Sequence, residues 1–102
     1  MNREQVIATL RALEPELKAA GVLSLSLFGS TARGDAGPES DVDVAVRVSE
    51  SFSNRGLDYF WRMEQLEQRL SRLLGRKVDV LEEPVRKERL QRQIDKDRAL
   101  AF

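Results

Sequence analysis

Residues 41–48 place a valine at every second position, with aspartate, alanine or arginine between the valines. Because the side chains of a β-strand alternate between the two faces of its sheet, this pattern predicts a strand with one buried face. Residues 77–81 show the same alternation, with a valine on either side of Asp79. If both strands bury their valines together, Asp41, Asp43 and Asp79 lie on the opposite face. The sequence therefore predicts three carboxylates on one side of a small sheet.

The middle of the chain predicts a further strand and a long helix. Residues 22–28 alternate Leu23, Leu25 and Leu27 with serine, which predicts a strand. Residues 57–74 carry apolar side chains at helical spacing, which predicts an amphipathic helix that ends at Gly75. The apolar stripe of that helix consists of Phe60, Met63, Leu66, Leu70 and Leu73.

Two more helices are predicted near the ends of the chain. The first follows the N-cap Asn2, is interrupted at Pro15 and stops at Gly21. The last runs from Pro84 to about Ala99, and the four apolar residues from there onward are expected to dock on the same domain or on a partner. This order indicates an α/β (α+β) fold with a small mixed β-sheet and helices on one face. The length of 102 residues fits one domain, which we assign to residues 1–102.

Composition limits the chemistry that is open to this chain. It contains no cysteine and no histidine, which excludes disulfides, thiol nucleophiles, His-based triads and the usual zinc sites. Seventeen basic and seventeen acidic residues give a net charge of zero, so we expect no direct binding to nucleic acid. No apolar run approaches a bilayer span and no signal peptide is evident, so we expect a cytoplasmic protein without membrane association.

Gly29 and Ser30 follow an apolar strand and precede a segment that can start a helix. Backbone N–H groups at such a position bind phosphate, and glycine allows the phosphate to approach closely. Ten residues separate Ser30 from the first of the three acids, Asp41, and Mg²⁺ typically uses a few carboxylates together with substrate phosphates. The combination indicates metal-assisted transfer from a nucleoside triphosphate. The loop is not a Walker A motif, since no G-x-x-x-x-G-K-[ST] string occurs.

The string FGSTARGDAGPESDVDVAV contains Gly29-Ser30, ten intervening residues and Asp41-Val42-Asp43. It resembles the G-S-x₁₀-D-x-D signature of the nucleotidyltransferases related to DNA polymerase beta, and within them the minimal nucleotidyltransferase (MNT) branch. The resemblance covers nearly the whole chain and implies the polymerase-beta-like nucleotidyltransferase fold.

The resemblance also implies roles for individual residues. Asp41 and Asp43 would coordinate two Mg²⁺ ions, with Asp79 as the third acid. The dipeptide Gly29-Ser30 would hold the β- and γ-phosphates of ATP. Arg33 would either contact phosphate or position the loop. The implied reaction is attack by an acceptor hydroxyl on the α-phosphorus of ATP, with release of pyrophosphate.

MNT proteins of this kind are commonly the antitoxins of HEPN/MNT toxin–antitoxin systems. The resemblance therefore implies an adenylyltransferase that moves AMP to a tyrosine hydroxyl of a partner HEPN RNase toxin. A cluster of aromatic residues, namely Phe52, Tyr59, Phe60 and Trp61, either caps the core or leaves apolar surface for that partner.

Other readings of the sequence stay open. One is a non-catalytic antitoxin that neutralises its toxin by binding alone. Another is a nucleotidyltransferase that acts on a small-molecule hydroxyl, for which a homodimer could complete the acceptor site. RNA is a third acceptor to consider, although the neutral charge of the chain disfavours it.

Overall fold

Six helices and four strands make up the part of the chain that the computed structural model describes, which is residues 2–37, 40–53 and 57–102. In chain order they are α1 (Arg3–Ala12), α2 (Glu14–Ala19), β1 (Val22–Phe28), α3 (Gly29–Arg33), β2 (Val42–Val48), α4 (Glu50–Ser53), α5 (Leu57–Leu74), β3 (Val78–Glu82), α6 (Glu88–Asp97) and β4 (Ala99–Leu100). None of the helices in these ranges is long and apolar enough to cross a membrane.

The four strands form one mixed sheet in the order β3-β2-β1-β4. Strand β1 runs antiparallel to both β2 and β4, and β3 runs parallel to β2. The predicted α/β class and small mixed sheet are confirmed. The valines of β2 and β3 pack against α1, α2 and α5, as their alternation predicted, and all are buried except Val48, which is partly buried. The helical residues buried in this core are Val6, Leu10, Leu17, Ala32, Leu66, Leu70 and Leu74.

The N-terminal predictions are also confirmed. The side chain of Asn2 accepts a hydrogen bond from the backbone N–H of Gln5, and the Gln5 side chain accepts one from the Asn2 N–H, both at 2.9 Å. This reciprocal pair satisfies two N–H groups that the first helical turn leaves free. Pro15 lies in the first turn of α2, where its missing N–H costs nothing. Gly21 follows α2 with a φ of +104° and turns the chain into β1.

The expected position of Leu23 is wrong. Its side chain is 57% exposed, whereas Val22, Leu25 and Leu27 are buried. The register between β1 and β2 shifts between Val22 and Ser24, and this irregularity turns Leu23 to solvent. Simple alternation along β1 could not reveal the shift.

The expected stripe of α5 is partly wrong. Leu66 and Leu70 are buried as predicted, and Met63 packs at the edge of the core. Phe60 is 68% exposed, and Leu73 is exposed as well, while Leu74 takes the buried position instead. The buried residues thus follow a spacing of four, and the contact with the core begins only at Met63.

The last helix begins later than predicted. It starts at Glu88 with Lys87 as its N-cap, so Pro84 does not open it. The preceding segment is held by side chains, because the Val85 N–H donates to the Gln91 side chain at 2.9 Å. Helix α6 ends at Asp97, and Ala99 enters β4 rather than closing the helix. The apolar end of the chain docks on its own domain, as one of the two predicted alternatives had it.

Helix α6 packs against the sheet face opposite the main core, so the prediction of helices on one face is wrong for α6 and holds for α1, α2 and α5. Its Ile94 is fully buried and forms a small cluster with Phe28 and Ala45. Asp43 and Asp79 lie on this same face, by the parity of β2 and β3. The face that carries the acids is therefore partly covered, and α6 forms one wall beside them.

Candidate active site

The structure brings the three predicted acids together at one end of the sheet. Asp43 and Asp79 are register partners on the parallel strands β2 and β3, and Asp41 immediately precedes β2. The Nζ atom of Lys77 lies 4.0 Å from an Asp41 carboxylate oxygen and 3.9 Å from one of Asp79. This ammonium group offsets part of the negative charge.

Asp43 lies half-buried on β2, next to the other two acids. Its partial burial raises its pKa, and the charges of Asp79 and Asp41 raise it further. The charge of Arg33 acts in the opposite direction and does not cancel these effects. A cation that binds near such an aspartate stabilises its ionised form, because the cation offsets the neighbouring negative charges.

Gly29 lies directly against Asp43. It follows Phe28, which is the register partner of Asp43 on β1. Its φ is +74°, a conformation that L-residues with a side chain rarely adopt. A Cβ atom at this position would overlap the Asp43 carboxylate. Gly29 and Ser30 thus begin α3 at the point where the acidic residues meet the end of β1.

Arg33, in the last turn of α3, is engaged by two carboxylates. Its Nη1 donates to Asp97 at 2.8 Å, and its Nε lies 3.4 Å from Asp35. The backbone N–H of Gly29 also interacts with the Asp97 carboxylate and helps to lower its pKa. The guanidinium group of Arg33 is therefore held by side chains of the protein itself.

The donor chemistry of the site fits Mg²⁺. Within residues 2–37, 40–53 and 57–102, no group of three acidic side chains is arranged to hold a metal ion unaided. Mg²⁺ sites commonly combine one or two carboxylates with substrate phosphates and water, so a complete protein cage is not required. Asp41, Asp43 and Asp79 supply hard oxygen donors beside the Gly29-Ser30 turn. Their roles as metal ligands stay predictions.

Sequence reasoning did not find the residues that fasten α6 to this site. Arg98 donates to Ser26 at 2.8 Å and to the buried carboxylate of Glu83 at 2.9 Å. The hydrogen bond from Arg98 lowers the pKa of Glu83, and that from Gln91 contributes as well. These contacts join residues far apart in the chain, and no short motif marks them.

An apolar groove lies elsewhere, between α2, α4 and α5. It encloses about 340 Å³ and is lined by Leu17, Phe52, Trp61 and Leu66 among others. Trp61 is 62% exposed. Of the aromatic cluster, Phe52 is buried, and Tyr59 donates a hydrogen bond to Glu82. Part of the cluster therefore caps the core, while Phe60 and Trp61 leave apolar surface exposed, whose use by a partner stays a prediction.

Comparisons with known proteins agree with this geometry. A family model described as a nucleotidyltransferase domain matches residues 8–101. The chain is 33% identical over 82 residues to Protein adenylyltransferase MntA of Thermococcus cleftensis. This alignment covers 79% of this chain and 77% of the relative.

Two solved structures share the fold. One is described as a minimal nucleotidyltransferase and is 31% identical, with a TM-score of 0.73. The match covers 97% of this chain and 95% of the solved chain. The other is a toxin–antitoxin crystal structure with AMP-PNP, 24% identical with a TM-score of 0.68, covering 100% of this chain and 73% of that chain. At that identity the second likeness shows the fold alone. The chain therefore belongs to the nucleotidyltransferase domain family, in its minimal nucleotidyltransferase branch, and is a nucleotidyltransferase enzyme.

Proposed function

We propose that this protein transfers AMP from ATP to a hydroxyl group of a partner protein, in the presence of Mg²⁺. One observation carries the proposal: the Asp43 carboxylate lies against Gly29, so an acidic pair and a glycine turn share one site. The first group suits a divalent cation, and the second suits a phosphate. A nucleoside triphosphate with its cation presents both.

Different residues of the site have different roles in this reaction. Gly29 and Ser30 hold the β- and γ-phosphates, which places the α-phosphorus near Asp43. Asp41 and Asp43 would hold Mg²⁺ with help from Asp79, and the bound ions would neutralise charge on the phosphates. Asp79, on the edge strand β3, orients the acceptor hydroxyl.

The transfer is a single displacement. The oxygen of the acceptor hydroxyl forms a bond to the α-phosphorus, while the bond to the bridging oxygen breaks and pyrophosphate leaves. The hydroxyl proton passes to solvent or to a nearby carboxylate. Positioning and charge stabilisation supply most of the rate enhancement, so a site without histidine is adequate.

We infer that the acceptor is a tyrosine of a HEPN RNase toxin and that this protein is its antitoxin. The support comes from the relative named as a protein adenylyltransferase and from the toxin–antitoxin structure of the same fold. The exposed rings of Phe60 and Trp61 offer apolar surface for such a partner.

Intact-protein mass spectrometry tests the proposal. A HEPN protein encoded next to this one is incubated with the wild-type protein, ATP and Mg²⁺, and in parallel with the double variant Asp41→Asn/Asp43→Asn. We expect mass to increase in whole adenylyl units with the wild type only. A stable complex without added mass would contradict transfer and would favour an antitoxin that acts by binding alone.

A further inference from the structure

Asp97 is a buried carboxylate at the end of α6, outside every motif considered so far. Its side chain is only 3% exposed. It accepts hydrogen bonds from Arg33 at 2.8 Å and from Gln93 at 2.9 Å. Burial of a charge is costly unless partners compensate it, and here they come from both α6 and α3.

The contacts of Asp97 reach both ends of α3. Arg33 is the last residue of that five-residue helix, and Gly29, whose amide also faces the Asp97 carboxylate, is the first. Helix α3 is short, so it has few backbone hydrogen bonds of its own to fix its orientation. Asp97 therefore holds the end of α3 by the hydrogen bond from Arg33, and its carboxylate lies near enough to the start of α3 for the Gly29 amide to affect its pKa.

Asp97 itself is firmly placed. Ile94, one helical turn earlier, is fully buried between Phe28 and Ala45. The next residue, Arg98, is bonded to the buried Glu83 and to Ser26 on β1. Asp97 thus connects α3 to an anchored part of the sheet.

We propose that Asp97 is a positioning residue of the nucleotide site, which holds the Gly29–Arg33 turn against Asp43 by binding Arg33. The inference rests on the proposed function, since the turn is taken to hold the phosphates of ATP. It also decides between the two roles considered for Arg33: the guanidinium group positions the loop through Asp97 rather than contacting phosphate.

The electrostatics agree with this assignment. Hydrogen bonds from Gln93 and Arg33 keep the pKa of Asp97 below its ordinary value, so the carboxylate stays charged at neutral pH. The same contact raises the pKa of Arg33. The pair is permanently ionised under the conditions in which ATP would bind.

Asp95 provides a matched control on the same helix. It accepts hydrogen bonds from Arg98 at 2.8 Å and from Gln91 at 3.2 Å. Neither donor belongs to α3. Asp95→Asn therefore changes the charge of α6 as Asp97→Asn does, without touching the turn.

Binding of ATP with Mg²⁺ to the purified full chain, measured by calorimetry, tests the inference without needing the acceptor. We expect Asp97→Asn to weaken binding about tenfold, the loss that accompanies a missing charge-assisted contact. Asp95→Asn should stay within about twofold of wild type, because its carboxylate lies outside the site. Arg33→Ala should resemble Asp97→Asn, and the double variant should bind no more weakly than either single one.

Kinetics separate a positioning role from a structural one. With the transfer assay, Asp97→Asn should raise KM for ATP and leave KM for the acceptor unchanged. A general loss of stability would lower the fraction of active protein, and so kcat, without raising the KM for ATP alone. If Asp97→Asn does not fold, Arg33→Lys provides the same test, since lysine keeps the charge but loses the directed guanidinium contact.

Three outcomes overturn the inference. One is wild-type ATP affinity in Asp97→Asn. Another is additive losses in the Arg33→Ala/Asp97→Asn double variant, which would mean that Arg33 contacts phosphate directly. The last is failure of the wild-type protein to bind ATP with Mg²⁺, which would overturn the proposed function as well. The first two leave the proposed function standing.

Discussion

The Asp43 carboxylate occupies the space in which a side chain at Gly29 would lie. Gly29 is held in that position by the end of β1, where its neighbour Phe28 pairs with Asp43. The acidic residue and the glycine turn are therefore in van der Waals contact, and neither can change its shape without moving the other.

Gly29→Ala should damage both stability and nucleotide binding. The alanine must adopt a φ near +74° and also displace the Asp43 carboxylate. Gly34→Ala is a matched control, since Gly34 has a φ of +80° but nothing within 4 Å of its Cβ position. We expect Gly34→Ala to cost about 1–2 kcal/mol of unfolding free energy and Gly29→Ala to cost more. Urea unfolding measures this difference, and equal losses would contradict the contact.

Asp43→Asn should abolish transfer and yet stabilise the metal-free protein at neutral pH. The folded pKa of Asp43 is raised by burial and by Asp79 and Asp41, so the folded protein holds its proton to higher pH than the unfolded chain. Stability contributed by this group is present below the unfolded pKa and lost as pH rises through the folded pKa. Asparagine cannot ionise, so the Asp43→Asn variant does not lose this stability as the pH rises.

Thermal unfolding in EDTA over a range of pH tests whether Asp43→Asn stabilises the metal-free protein. The Tm of Asp43→Asn should exceed that of wild type at neutral pH, and the gap should close as the pH falls. A lower Tm for Asp43→Asn at neutral pH would show that the carboxylate stabilises the empty site.

Arg98→Ala should destabilise the fold strongly. It leaves the buried Glu83 carboxylate without its main partner, and removing one member of a buried pair costs about 3–5 kcal/mol. Arg92→Ala on the same helix is the control, because Arg92 forms only an exposed 3.9 Å pair with Glu88 and should change stability by less than about 0.5 kcal/mol. Denaturant unfolding at neutral pH compares them.

The same pair predicts a pH dependence. Arg98 lowers the folded pKa of Glu83, so this contribution is present above the unfolded pKa and lost as pH falls through the folded one. The stability difference between wild type and Arg98→Ala should therefore shrink in acid. A difference that is constant with pH would mean that the guanidinium group acts through packing alone.

Trp61→Ala should weaken the complex with the partner and leave ATP binding intact. Trp61 lines the apolar groove, is largely exposed and lies on α5, away from the acidic residues. Exposed tryptophans that become buried in an interface often contribute a large share of its affinity, so we expect a loss of about tenfold or more. Leu100→Ala, at an exposed residue on β4, is the control. Calorimetry with the partner measures both, and equal affinities would place the interface elsewhere.

Local patterns predict the acidic face of the sheet well. Strict alternation over residues 41–48 and 77–81 was enough to place Asp43 and Asp79 on one face of the sheet, because burial of the valines leaves the acids only the other face; that the two strands are neighbours came from the structure. The signature string added the glycine turn. Both signals lie within single elements or between neighbouring strands, where side-chain direction follows from backbone geometry.

Long-range contacts and small irregularities were beyond that reasoning. Asp97 meets Arg33 across 64 positions of sequence, and neither spacing nor composition marks the pair. Leu23 is exposed because of a register shift that depends on how β1 meets β2. Pro84 fits the start of a helix by itself, but the contacts of Glu83 and Val85 keep that segment out of α6.

Strand β4 completes the sheet beside β1, pairing Ala99 with Leu27 only two residues after Asp97. During synthesis, β1, β2, β3 and all the predicted acids leave the ribosome before these residues do. The hydrogen bond from Arg33 to Asp97 and the pairing of β4 with β1 can therefore form only after residues 97–100 have been synthesised. We expect α3 to reach its final position late in folding, although its own sequence is made early.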